Sequence, residues 1–475
     1  MVVTRKLKFD SPRLAMGGVR IELAREMKLL GLTIDDGLTF NTHVGNVAAK
    51  VQWGLSPEVI RTIYVAVVEP VIMYAASAWA PAAKKLGVRK ELDTVQRGFA
   101  QKLVKAYRTV SLNSALLLAG ILPLDLRIQE AAALYEVKRG YSQRVVGDRE
   151  VETPMPVVGA RHPAEQRGVE FGSVVDGAEL LQLDTSVCNI FTDGSKLEGK
   201  VGAALTLWKG NEEVTSRKFK LENFCTVYQA ELLALQKATE LAISHKAGAF
   251  NVYCDSRSAL QTVADGTSLH PIANKIRHNL DKISKLNKII NLFWIKAHAG
   301  LEGNERADEL AKAAAVGIKR RPDYDVCPVS FVKRQIRLDT IDEWNRRYQS
   351  ADTGSTTRMF FPDARAAYGL VRKIKMDPVL TQVFTGHGGL SEYLNRFKCK
   401  ESPACPCDPE EKEDVRHVLL ECPKYAKERM ELEFRLDAKI NLEVLPNIIN
   451  DKDKRGYFMD FAKIIMLKLI KQNRN

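Results

Sequence analysis

Between Asn189 and Ala315 the spacing of apolar residues alternates between a two-residue and a 3.6-residue period, and this narrows the folds open to the chain. "NIFTDGSK", "VGAALTLWK", "EEVTSRKFKL", "AFNVYCDS" and "NLFWIKAH" read as five strands. Helical spacing interrupts them at "TVYQAELLALQKATELAISHKA", "SRSALQTVADG" and "GNERADELAKAAA". Three strands, then helix, strand, helix, strand and helix predict an α/β domain, a mixed sheet covered by helices.

Acidic residues fall at telling points of this pattern. Asp193 ends the first strand, Glu231 lies in the first turn of the long helix, Asp255 ends the fourth strand and Asp308 comes early in the last helix. Strand ends and helix starts can converge on one sheet edge. A single Asp-Gly or Asp-Ser is usually a turn, and a lone Glu at a helix start usually serves the helix dipole. Four acids in this context point to a shared pocket. Close like charges raise one another's pKa, and divalent cations resolve the conflict. Hard oxygen ligands suit Mg2+ or Mn2+, and two ions about 3.5–4 Å apart would activate a water and stabilise the leaving oxygen of a phosphodiester. Gly194 and Ser195, just beyond Asp193, would let the backbone approach a nucleic-acid strand closely. Ser256 and Arg257 read as capping and solvating the next helix, and Trp294 as core. Asn304 fits either a helix start or a substrate contact.

Eight cysteines divide into four isolated ones and four within "CKESPACPCDPEEKEDVRHVLLEC". Cys405, Cys407, His417 and Cys422 form C-x-C, nine residues, then H-x4-C, a set of soft ligands suited to tetrahedral Zn2+, with Cys399 as a substitute. Lys plus Arg exceed Asp plus Glu by 71 to 58, which fits a polyanionic partner. The chain opens without a basic, apolar, small-residue leader, so a reducing intracellular compartment is expected. Its most apolar run, "YVAVVEPVIMYAASAWAPAA", is broken by Glu69, Pro70 and Pro81 and reads as a core helix pair with no membrane role.

Composition divides the chain further. Residues 1–145 are mainly helical, with Ser56 as a cap and Pro57 at the first helical position. Residues 146–186 are polar, punctuated by Pro and Gly, and read as a linker. The α/β domain occupies 187–318, and 319–475 is again mainly helical and carries the cysteine cluster.

"FTDGSK", "YQAELLAL", "VYCDSRSAL" and "IKAHAGLEGNERADELA" together resemble the four motif blocks of a ribonuclease H domain. The resemblance implies a ribonuclease H-like mixed sheet, metal-binding catalytic roles for Asp193, Glu231, Asp255 and Asp308, and a mobile histidine at His298 that aids proton transfer or product release. The implied reaction is hydrolysis of the RNA strand of an RNA–DNA hybrid. The flanks "MKLLGLTIDDGLTFNTHVGNVAAKV" and "AYRTVSLNSALLLAGILPLDLRIQEAA" resemble the segments after the palm of a non-LTR retrotransposon reverse transcriptase, and the cysteine-rich tail resembles the end of such Pol polyproteins of the I-like group. Asp35 and Asp36 of "TIDDGL" read as a hairpin turn, so the polymerase aspartates are expected only in a longer parent. RNA, target DNA and the rest of the polyprotein are the implied partners, with work in the nucleus at the integration site and a cytoplasmic phase. The rival reading is a non-catalytic nucleic-acid-binding module from an inactivated copy; a third is an adaptor for polymerase assembly.

Overall fold

The computed structural model describes residues 14–29, 32–36, 42, 56–140, 147, 149–154, 169–174, 187–297, 300–317 and 321–473. The chain separates into two compact units, one of Leu134–Ile336 and one formed jointly by Met1–Ala133 and Arg337–Asn475.

The Leu134–Ile336 unit holds the α/β domain. Its strands are β1 (Phe171–Val174), β2 (Cys188–Leu197), β3 (Lys200–Lys209), β4 (Glu212–Leu221), β5 (Ala249–Cys254) and β6 (Ile289–Ile295). They form one sheet in the order β1-β6-β5-β2-β3-β4. β2, β3 and β4 are an antiparallel meander, whereas β5 joins β2, β6 joins β5, and β1 joins β6 in parallel. β1 falls inside the stretch read from sequence as a linker.

The helices are α1 (Val227–Ser244), α2 (Arg257–Ala264), α3 (Pro271–Lys285) and α4 (Glu302–Gly317). α3 is additional to the sequence expectation. Its Ile272, Ile276 and Ile283 recur on one helical face and are buried. On one side of the sheet Ile190, Leu205 and Val252 share a core with Leu232 and Leu235 of α1, Leu260 of α2 and Ile276 of α3. On the other side Ala307 of α4 packs with Phe191, Tyr253 and Ile295. α4 comes so close to β3 that a Cβ on Gly202 would lie 2.3 Å from the Ala311 carbonyl oxygen and 2.5 Å from the Ala315 nitrogen. Only glycine permits that approach.

In the other unit the two flanks share one hydrophobic core, with Trp79, Phe99 and Leu116 from the first and Trp344, Phe384 and Phe458 from the second. Hydrogen bonds join them too, Thr357 Oγ1 donating to Ser114 Oγ at 2.7 Å and Arg347 Nη1 to Asp125 Oδ2 at 2.6 Å. Ser56 caps the helix Pro57–Ile63 with Pro57 at its start, as its sequence indicates. The apolar run continues through a π-turn to Met73 and then bends by 91° into Ala76–Ala83. Tyr64, Ile72 and Trp79 are buried, and buried Glu69 accepts from Arg127 Nε at 2.8 Å. Among the described residues no single helix is long and apolar enough to cross a membrane. Asp35 ends a strand opposite Glu26, and Asp36 stands in the turn that follows it.

Candidate active site

Sheet topology decides where the acids meet. β2 does not end at Asp193: it runs on to Leu197 because its ladder with β3 continues, pairing Asp193 with Ala204. The parallel ladder with β5 stops at Thr192 and Cys254. Asp193 and Asp255 are therefore the first residues beyond that ladder on adjacent strands. Glu231 comes from α1, in its second turn and not the first, because Thr226 is the cap and closes a capping box with Gln229. Gly194 brings α1 to the sheet here. A Cβ on Gly194 would meet the Glu231 nitrogen at 2.5 Å and the Ala230 carbonyl carbon at 2.9 Å, so glycine is what lets α1 pack this closely.

Asp193 and Glu231 are each only 6% exposed, an unusual depth for carboxylates. Asp193 Oδ2 is buried without a hydrogen-bond partner among the described residues. Burial first, then the charges of Asp255 and Asp308, push the Asp193 carboxyl up to about 7, against the pull of Lys312 and the Gly194 N–H. Glu231 is held well above the usual carboxylate range by burial and by Asp193 and Asp255. Asp308 Oδ2 accepts from Lys312 Nζ one helical turn on, at 2.6 Å. Asp193 feels the charges of Asp255 and Asp308, and Glu231 those of Asp193 and Asp255, while Glu231 and Asp255 bring ligand atoms within 4.8 Å of each other. An orphaned buried oxygen and mutually repelling carboxylates fit a divalent cation bound through oxygen.

His298 lies outside the described residues. Trp294 is partly buried, as expected, and its Nε1 donates to the Asp255 carbonyl at 3.0 Å while Arg257 lies 5.4 Å over its ring. Ser256 holds the cap position of α2 without a side-chain capping bond. Asn304 is 3% exposed with Oδ1 unpartnered, and its N–H donates to Leu301 at 3.0 Å. Two neighbours of the centre escaped the sequence reading. Lys312 is one, and its i, i+4 spacing from Asp308 is the signal that reveals it. Cys254 is the other: it is fully buried, with Sγ 3.8 Å from Glu231 Oε2.

The cysteine cluster assembles in the other unit. Cys407 Sγ lies 3.2 Å from Cys405 Sγ, 3.6 Å from Cys422 Sγ and 3.1 Å from His417 Nε2, and Cys405 and Cys422 are 3.8 Å apart. Four tetrahedral ligands at zinc bond lengths would stand about 3.4–3.8 Å apart. Exposed Cys399 is not in this group, and its Sγ faces the Phe397 carbonyl at 3.6 Å.

A six-stranded mixed sheet with carboxylates gathered beyond its central parallel pair defines a nuclease domain of the ribonuclease H class. Residues 185–316 match the family model described as RNase H. The chain is homologous to Pol polyproteins of R1-type non-LTR retrotransposons: it is 28% identical over 144 residues to a putative 115 kDa protein in type-1 retrotransposable element R1DM of Drosophila melanogaster. It is 25% identical over 150 residues to a retrovirus-related Pol polyprotein from element R1 4 of Nasonia vitripennis. The first alignment takes in 28% of this chain and 14% of the fly protein, the second 28% and 37% of the wasp protein. A Popillia japonica R1 Pol polyprotein aligns at 25% identity over 44% of this chain and 80% of its own length.

Proposed function

We propose that the chain hydrolyses the RNA strand of RNA–DNA hybrids with two Mg2+ or Mn2+ ions, within a retrotransposon Pol polyprotein. The observation that carries this is the buried, unpartnered Asp193 Oδ2 among three further carboxylates. Asp193, Glu231, Asp255 and Asp308 would hold the ions. Bound ions would acidify the attacking water and stabilise the departing 3′ oxygen. The residues' own part is to fix the ligand oxygens without reorganisation: Glu231 is held by the backbone of α1 and Asp193 by a paired strand. His298 is assigned proton transfer or product release by its motif. Choice of RNA would come from contacts to 2′-hydroxyl groups, and the basic surplus would add salt-sensitive backbone affinity.

Cys405, Cys407, His417 and Cys422 would hold one Zn2+, a reading supported by the gathering of their sulfur and nitrogen atoms at separations of 3.1–3.8 Å. Reverse transcription would belong to the parent polyprotein, acting in the nucleus at the integration site after a cytoplasmic phase.

The test is cleavage of a labelled RNA–DNA hybrid by the purified chain with magnesium, beside Asp193→Asn and a chelator. Product lost in both controls supports the hydrolase. Folded chain that binds hybrid and makes no product supports the inactive binding module instead.

A further inference from the structure

The carboxylate centre contains one soft donor that a magnesium site does not need. Cys254 ends β5, directly before Asp255, and its side chain has no exposed surface. Its Sγ stands 3.8 Å from Glu231 Oε2, and one ligand atom each from Glu231, Cys254 and Asp255 lies within 4.8 Å of the others. Zinc bond lengths to sulfur and oxygen at a tetrahedral angle require about 3.6 Å between the two donors. Cys188, Cys225 and Cys327 are buried in the same unit, yet none joins such a group among the described residues. A second observation points to a cation beside this group: Asp193, next to the Thr192 that pairs with Cys254, is 6% exposed and its Oδ2 lacks a partner among the described residues.

We propose that Cys254, Glu231 and Asp255 bind a thiophilic divalent cation, of the zinc or cadmium kind, which displaces magnesium and stops hydrolysis. The inference rests on the reading of these carboxylates as cation ligands. On binding, the Cys254 Sγ–H bond breaks, the proton leaves to solvent and the sulfur pair forms the bond to the ion. A thiolate donor favours such an ion over magnesium, whose ligands are oxygens. The centre would thus report the ratio of two classes of cation: oxygen-seeking ions would support cleavage and sulfur-seeking ions would block it.

The experiment is a cadmium titration of the full chain followed by near-ultraviolet thiolate-to-cadmium absorbance, compared with Cys254→Ser and Cys254→Ala. The tail cysteines contribute equally to all three, so the wild-type end point should exceed the variants by one thiolate. Excess magnesium should shift that increment to higher cadmium. Coincident titrations of folded wild type and variants would overturn the proposal. Should both substitutions unfold the chain, Glu231→Gln, which keeps the thiol, must weaken the increment at least tenfold, and an unchanged curve overturns it equally. The absorbance needs no substrate. A chain that shows the increment and cuts no hybrid keeps this site and loses the nuclease reading, whereas one that cuts hybrid without the increment does the reverse.

Discussion

The two clusters of potential cation ligands are built in opposite ways. Cys405, Cys407, His417 and Cys422 come from 18 consecutive residues and are brought together by a short hairpin and one turn of helix. Asp193, Glu231, Asp255 and Asp308 come from the middle of one strand, the end of another and two helices, and they are distant in sequence. The tail cluster puts thiols at metal-like separation with little repulsion between neutral groups. The acid cluster buries Asp193 and Glu231 where neighbouring carboxylates make both harder to ionise. A local cluster can serve the stability of its own unit, while the dispersed one is held together by a fold that it strains.

That contrast predicts opposite outcomes for removing one ligand. Asp193→Asn keeps the shape and deletes a charge that Asp255 and Asp308 oppose. Hybrid cleavage should fall by about 10^3-fold, the scale of losing one preorganised electrostatic contact at a reacting phosphate. Thermal stability without cations should hold or rise. Single-turnover cleavage beside a melting curve checks both, and a variant that loses activity together with stability would break the comparison.

The same strain should appear as a pH dependence. Asp193 is ordinarily a group of pKa 3.8 and in the fold is pushed up to about 7. Between those values the unfolded chain has released its proton and the folded chain keeps it, so stability falls as pH rises through the window. The loss reaches at most about 4 kcal/mol from this one group. Denaturant unfolding in chelator at several pH values should show the slope, and magnesium or Asp193→Asn should flatten it. A flat profile in chelator would mean that the carboxylate is ionised in the fold without a cation.

For the tail the order reverses. Cys422→Ser should destabilise the helical unit by about 3 kcal/mol through loss of a bound ion's folding energy, with a chelator reproducing the effect. Zinc released per chain and the unfolding transition of the variant measure it. Cleavage of hybrid at a temperature where both units are folded should be preserved.

The middle domain was legible because each of its motifs sits on an element with a clear period: β2 to β6 and α1, α2 and α4 were all readable from residue spacing. β1 was not, since Phe171–Val174 is four residues with a central glycine and no alternation. Its identity as a strand comes from pairing with β6, which sequence does not display. The continuation of β2 past Asp193 has the same origin, a ladder partner on one side only. Cys254 was invisible for another reason. A buried cysteine at a strand end looks like core, and only the approach of α1, licensed by Gly194, places a carboxylate against its sulfur. The helical flanks read correctly as helices, yet nothing local shows that Trp79 and Phe458 belong to one core.

The smallest expected effect concerns Lys312, which sharpens the account of how the acid centre is tolerated. Its Nζ donates to Asp308 Oδ2 at 2.6 Å, and its charge eases the ionisation of Asp193. The side chain is 47% exposed, so water screens the pair and its contribution to stability is small. Lys312→Ala should change unfolding free energy by no more than about 0.5 kcal/mol. Its effect on cation binding has the opposite sign to that of losing a ligand: freed of a competing cation, Asp308 should bind magnesium more tightly, by a few-fold. A magnesium titration of hybrid cleavage reads this as a lower half-saturating concentration. If Lys312→Ala instead raised that concentration, the ammonium would be orienting Asp308 for the ion and not competing with it. The repulsion among the acids would then be relieved by the ion alone.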